Sequence, residues 1–282
     1  MADFVDFEHK NETIRIFNPP ELFQNIKFYN KNKNIYKSIL NKKVPDVIRY
    51  IFKYYYSPKK SCSLILNSIN KTKGLIKNQK YYDIDCSKQE KDYFKNNKNI
   101  VLLLESPHNK EYNYYDKNNQ AVNLPSQSKV ADAKKVRNIK GVAPAQGRTG
   151  EKIHRWLSTI LSETNEFENE ENYKIIIANP VQYQASVHCL HGQSTRKKKY
   201  KELRNDLWVK LWLHNKKDFI NRINNYSPYL VINSCTKNLR KIVTSQLLQN
   251  NKVNKIYETN HPSSWFTHKN RAFKKIKSCL GG

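Results

Sequence analysis

A carboxylate at Glu105, a carboxamide at Asn179 and an imidazole at His261 are three residue types that, brought to one place, suit the cleavage of an N-glycosidic bond. Its transition state resembles an oxocarbenium ion. A carboxylate stabilises the sugar cation and orients water, while a histidine donates a hydrogen bond to the departing base. A carboxamide presents donor and acceptor together to the edge of a pyrimidine flipped out of the helix. Each residue taken alone is an ordinary polar cap; only their joint placement points to this chemistry.

Placement depends on four short apolar runs, each bounded by polar residues: Asn99 to Leu104, Lys174 to Ala178, Tyr229 to Ile232 and Lys255 to Tyr257. Helical patterns follow three of them, over Glu151 to Ser162, Leu203 to Ile223 and Lys237 to Leu248, and a further helix is expected around Ala272 to Leu280. In the first of these, Ile153, Trp156, Leu157, Ile160 and Leu161 fall on one stripe. Alternating strands and helices imply an α/β fold, a three-layer αβα architecture around a central four-stranded parallel sheet. Ligands of such sheets bind beyond the carboxyl ends of the strands. Those ends run into Glu105-Ser106-Pro107-His108, Asn179-Pro180, Asn233-Ser234-Cys235 and Asn260-His261-Pro262-Ser263-Ser264-Trp265.

Residues 1–95 read as a helical N-terminal extension packed on a core domain of residues 96–282. The clearest helix opens at Pro45-Asp46, with Val47, Ile48, Ile51, Phe52 and Tyr55 on one face. No chemistry is legible in that extension.

Composition narrows the partner. The 282 residues carry 51 Lys and Arg against 24 Asp and Glu, a formal net charge of +27, which calls for a polyanion. Residues 1–98 hold 20 basic and 10 acidic side chains and the rest hold 31 and 14, so the basicity is not confined to one tail. An AT-rich genome would supply lysines, but not the shortage of acids. Hydrophobic residues at 38% and aromatics at 12% are too many for a disordered basic tail. The opening residues lack the layout of a signal peptide, and no apolar run approaches the roughly twenty residues of a membrane span. A cytoplasmic, monomeric protein is the expectation. The five cysteines, Cys62, Cys86, Cys189, Cys235 and Cys279, form no C-x-x-C pair and read as reduced thiols.

Four segments, in order, carry a resemblance. Leu104-Glu105-Ser106-Pro107-His108-Asn109-Lys110-Glu111 resembles the G-E-A-P-G-x-x-E motif of the uracil-DNA glycosylase superfamily, above all its family 4 branch. Gly147-Arg148-Thr149-Gly150-Glu151-Lys152-Ile153 resembles the G-R-A-G-Q-L-L segment that opens the next helix there. Asn179 stands where the superfamily's base-reading Asn ends its second strand. His261-Pro262-Ser263-Ser264-Trp265 resembles H-P-S-P-L. These matches cover residues 99–282.

The resemblance implies a DNA glycosylase that flips a base from duplex DNA. Glu105 then positions water or stabilises the sugar cation, Glu111 is a supporting acid, Asn179 reads the base and His261 hydrogen-bonds its leaving oxygen. Ser106 stands where the main uracil branch has its catalytic acid, and with His108 it lines the base pocket. Trp265 takes the place of the Leu that wedges into the duplex, and a buried anchor for the last helix is the alternative for it. Ser263, Ser264, Lys269, Arg271 and Arg148 become DNA contacts. The cysteines lack the close pair of the iron–sulfur branch, so no cluster, metal or organic cofactor is expected. His108 stands where one branch has Gly and another Tyr, and the 29 residues between Glu111 and Gly141 form a long insertion. His108 suits a pocket for a modified base, and the insertion either enlarges that pocket, covers DNA or is a disordered surface loop. The resemblance accordingly extends to bacterial antiviral glycosylases that remove glucosylated hydroxymethylcytosine from phage DNA, and repair and defence both stay open.

Two other classes compete. A replication accessory protein on an inactive glycosylase fold would bind DNA without chemistry. A metal-dependent nuclease would use Glu105 with Glu111 and lose activity in chelator. His188-Cys189-Leu190-His191 is the one tempting metal cluster, and it lacks a second ligand pair of conventional spacing. Arg196-Lys197-Lys198-Lys199 reads as a solvated basic loop suited to phosphates.

Overall fold

A computed structural model describes residues 4–9, 12–17, 42–55, 63–66, 83–95, 98–122, 138–162, 164, 166–168, 171–185, 198–266 and 273–276. The chain divides into two compact units, one of residues 1–44, 106–142 and 181–217, the other of residues 45–105, 143–180 and 218–282.

The first unit contains two antiparallel hairpins. One pairs β1 (Phe4–His9) with β2 (Glu12–Phe17). The second pairs two strands from the long insertion, Tyr112–Tyr115 and Asn138–Gly141. Tyr112 and Tyr114 are buried, as is Ile139 opposite Tyr114. Gly141 is required there because any Cβ would run into the backbone of Lys43 and Val44.

The second unit is built on an eight-stranded mixed sheet. Its strands are β3 (Val47–Tyr55), β4 (Ser63–Leu66), β5 (Ile84–Asp85), β6 (Lys98–Leu103), then, after the β7 and β8 of the insertion hairpin, β9 (Asn172–Ala178), β10 (Pro228–Asn233), β11 (Ile256–Glu258) and β12 (Lys274–Ile276). The order is β12-β11-β10-β6-β9-β3-β4, with β5 alongside β3. Pairs β11/β10, β10/β6 and β6/β9 are parallel, and the outer pairs are antiparallel. Ile100 to Leu103 and Ile175 to Ala178 are wholly buried, which explains why these strands read as continuous apolar runs rather than alternating ones.

Three helices occur among the described residues: α1 (Arg148–Ser162), α2 (Lys198–Tyr226) and α3 (Lys237–Leu248). The α/β class therefore holds. The expected stripe of α1 faces inward through Ile153, Leu157 and Leu161. Gly147, at φ +78°, supplies the left-handed turn from which α1 starts.

Two expected elements are corrected. The helix read over residues 45–55 is β3, in the body of the sheet between β9 and β4, so the expected domain boundary at residue 95 cuts through one sheet. A register shift between Ile48 and Tyr50 leaves Arg49 as an extra residue. This bulge breaks the two-residue alternation and leaves Val47, Ile48 and Phe52 buried in a spacing that imitates a helix. Arg49 uses the displacement, gripping Asp83 through Nε at 2.7 Å and Nη2 at 2.9 Å and donating to the carbonyls of Pro144 and Ala145, just ahead of α1.

The helix expected around 272–280 is also corrected, because Lys274–Ile276 is a strand. Antiparallel pairing with β11 covers what would otherwise be an open edge. Phe273 packs against Tyr257, and Lys275 reaches Glu166 at 2.7 Å. Glu166 also accepts from Tyr257 at 2.7 Å and pairs with Lys255 at 2.8 Å. Burial works to raise its carboxyl, but the hydrogen bonds from Lys255, Lys275 and Tyr257 prevail and hold it at about 2. A depressed carboxylate stabilises the fold above its unfolded value near 4.5 and loses that contribution as pH falls toward 2. Thermal midpoints should consequently fall across this window in the wild type and fall less steeply in Glu166→Gln. Identical slopes would remove Glu166 from the acid response.

Candidate functional site

The parallel strands deliver their ends to a common rim because their ladders run one residue past each strand. Leu104 N–H donates to Ala178 O at 2.9 Å, Ser234 N–H to Leu103 O at 2.9 Å and Thr259 N–H to Asn233 O at 3.1 Å. Glu105 and Asn179 consequently leave the sheet side by side.

Both are buried, at 6% and 1% exposure. Glu105 N–H donates to Asn179 Oδ1 at 3.3 Å. Since a backbone N–H is only a donor, it fixes which way the Asn179 amide faces. Asn179 Nδ2 is buried and has no acceptor among the described residues. A buried donor left this way costs about 1–3 kcal/mol, which an acceptor on a bound ligand would return. Glu105 Oε2 accepts from Thr236 N–H at 3.3 Å, a donor at the start of α3 with no partner inside the helix. Burial and the adjacent Glu105 push the Cys235 thiol well above its usual range, so it stays protonated and is no nucleophile.

His261 opens the 3-10 turn Pro262–Ser264 at the end of β11. Its Nδ1 accepts from Ser263 N–H at 3.3 Å and lies 2.9 Å from Ser263 Oγ. A nitrogen that accepts carries no proton, so the neutral ring has its N–H at Nε2. Ser263 is exposed and Ser264 half-buried, its hydroxyl donating to His261 O at 2.7 Å. Arg148 is exposed in the first turn of α1, the helix that packs against this 3-10 turn.

Trp265 is corrected as a wedge. It is fully buried, with Nε1 donating to Asn260 O at 2.7 Å, because the 3-10 turn rolls the indole inward. It anchors the turn. Phe266, the next residue, is 60% exposed, and it lies one place beyond the motif, where no sequence signal marks it.

Ser106, His108 and Glu111 belong to the other unit. Ser106 is half-buried and His108 exposed, with His108 Nδ1 capping the 3-10 turn Asn109–Glu111 by accepting from Lys110 N–H at 3.5 Å. Glu111 is buried, and its carbonyl accepts from Val142 N–H at 2.9 Å. Asn233, at the third strand end, is spent structurally: Nδ2 donates to Arg240 O and Thr244 Oγ1, both at 3.0 Å, and Oδ1 accepts from Cys235 N–H. Lys269, Arg271, His188, His191, Arg196 and Lys197 lie outside the described residues, as do the side chains of Lys198 and Lys199. Among the described residues no group of His, Cys, Asp and Glu is arranged to hold a metal ion, and no helix is long and apolar enough to cross a membrane.

No family model, curated protein or solved structure matches this chain.

Proposed function

We propose that this protein is a DNA glycosylase that hydrolyses the N-glycosidic bond of a flipped-out pyrimidine, uracil or a modified base, to leave an abasic site. The observation that carries the reading is the Asn179 carboxamide, buried, tied through its oxygen to the backbone of Glu105 and with Nδ2 meeting no acceptor among the described residues. A pyrimidine supplies such an acceptor as a ring carbonyl or ring nitrogen. The neutral His261 ring, with its proton on Nε2, suits donation to the oxygen on which negative charge grows as the base departs. Glu105 supplies a carboxylate opposite the developing sugar cation; water adds to the sugar carbon as the bond to the base breaks, and the departing base takes up a proton. The net charge of +27 draws the chain to DNA phosphates. Arg148, Ser263 and Ser264 are the described side chains offered to the backbone, and Phe266 is the apolar group offered to the vacated stack.

Duplex oligonucleotides carrying uracil, cytosine, hydroxymethylcytosine or its glucosylated form, incubated in chelator and then treated with alkali, test this. Alkali-dependent cleavage at one of these bases is the expected result, and its identity decides between repair and antiviral defence. Salt-sensitive binding with no cleavage would replace this reading with the accessory DNA-binding one. Strand breaks that need no alkali and vanish in chelator would replace it with a nuclease.

A further inference from the structure

The backbone of Asn179 is gripped at both its N–H and its C=O by one ion pair, of a buried Asp46 and a part-buried Arg222. Asp46 Oδ1 accepts from Asn179 N–H at 3.2 Å. Arg222 Nη2 donates to Asn179 O at 3.2 Å and to Pro180 O at 3.4 Å. The two side chains are joined to each other, Arg222 Nη1 to Asp46 Oδ2. Each is held from behind: Asp46 Oδ2 also accepts from Tyr226 O–H at 2.8 Å, and Arg222 Nε donates to Asp218 Oδ2 at 3.0 Å. The Asp46 backbone is fixed in turn, its carbonyl accepting from Cys86 N–H at 2.9 Å.

Such an arrangement is more than packing requires. A loop residue's N–H and C=O are ordinarily met by water or by neighbouring backbone, whereas a desolvated ion pair is costly to build and rigid once built. Arg222 is a planar fork that spans two carbonyls and two carboxylates at once, a task that lysine's single ammonium cannot reproduce. Burial opposes the Arg222 charge, and Asp46, Tyr226 and Asp218 overcome it, so its pKa lies above the usual value and the guanidinium stays charged.

The geometry assigns Asp46 and Arg222 as positioning residues that fix the direction of the Asn179 carboxamide and thereby set how strictly one base is told from another. This rests on reading Asn179 as the base-contacting side chain. It also gives a role in the site to residue 46, in a segment with no catalytic motif of its own.

The test uses the full chain with Asp46→Asn and, as a milder change, Arg222→Lys. In Asp46→Asn, Arg222 retains Asp218 and both carbonyls, which favours folding. The ratio of single-turnover excision rates for the preferred and the next-best base should fall about 10-fold. In an Asn179→Ala background the same substitution should cost no further discrimination, since no carboxamide remains to be positioned. Multiplying losses in that double variant would overturn the assignment. A second readout is independent of activity. Hydrogen exchange of the Asn179 amide should quicken by about 10-fold or more in either variant while the β6 amides stay unchanged. Unchanged exchange at Asn179, or equal acceleration everywhere, would overturn it. If the wild-type protein excises no base, the glycosylase reading fails and the exchange result alone decides whether the pair holds Asn179.

Discussion

Replacing Glu105 by Gln is expected to slow base excision by about 10²–10⁴-fold, the range associated with a positioned acid or base. That corresponds to about 3–5 kcal/mol of transition-state stabilisation. The fold should persist, because a glutamine carbonyl still accepts from Thr236 N–H and the Glu105 backbone contact with Asn179 does not involve the side chain. Binding to undamaged duplex should be retained, since the substitution removes one negative charge from a chain of net charge +27. Single-turnover rates beside equilibrium binding separate the two effects. A variant excising within about threefold of wild type would remove Glu105 from the chemistry, because a lost acid or base costs far more.

The second large effect is a contrast between neighbours. Trp265→Ala should destabilise the protein by about 3–5 kcal/mol, because it empties a fully buried site and removes the donor to Asn260 O. Excision should fall with it, as the turn carrying His261 loses its anchor. Phe266→Ala, on a side chain 60% exposed, should change stability by about 0.5 kcal/mol or less. Its loss should slow excision from paired duplex more than from single strands, where no stack has to be filled. Denaturant unfolding of both variants, with rates on the two substrate forms, checks this. A stable Trp265→Ala, or a Phe266→Ala that slows both substrates equally, would reverse the assignment of anchor and wedge.

The strand-end positions of Glu105 and Asn179 were legible in the sequence because each follows an apolar run, and such runs end where a parallel sheet meets its rim. His261 lies three residues beyond the short strand Ile256–Glu258, and its position was legible from the His-Pro-Ser-Ser segment rather than from an apolar run. Their partners were not. Asp46 looks like the first polar residue of a helix, and Arg222 is one more basic side chain on a long helix rich in lysine. Neither carries a local signal, since their pairing spans 176 positions. Phe266 was masked by Trp265, because type and motif position favour the tryptophan and only exposure favours its neighbour.

By itself the sequence determined the elements with an unbroken local period: α1 through Ile153, Leu157 and Leu161, α3 within Lys237–Leu248, and the buried runs of β6, β9 and β10. Burial on one stripe, or on both faces of a strand, imprints itself on residues a few positions apart. Tertiary structure alone decided that Val47–Tyr55 is a strand, that Lys274–Ile276 closes the sheet edge, and that an ion pair from distant segments clamps Asn179. The physical reason is common to all three. A bulge, an edge pairing and a part-buried salt bridge are each stabilised by partners far away in the chain, and long-range contacts leave no periodicity behind them.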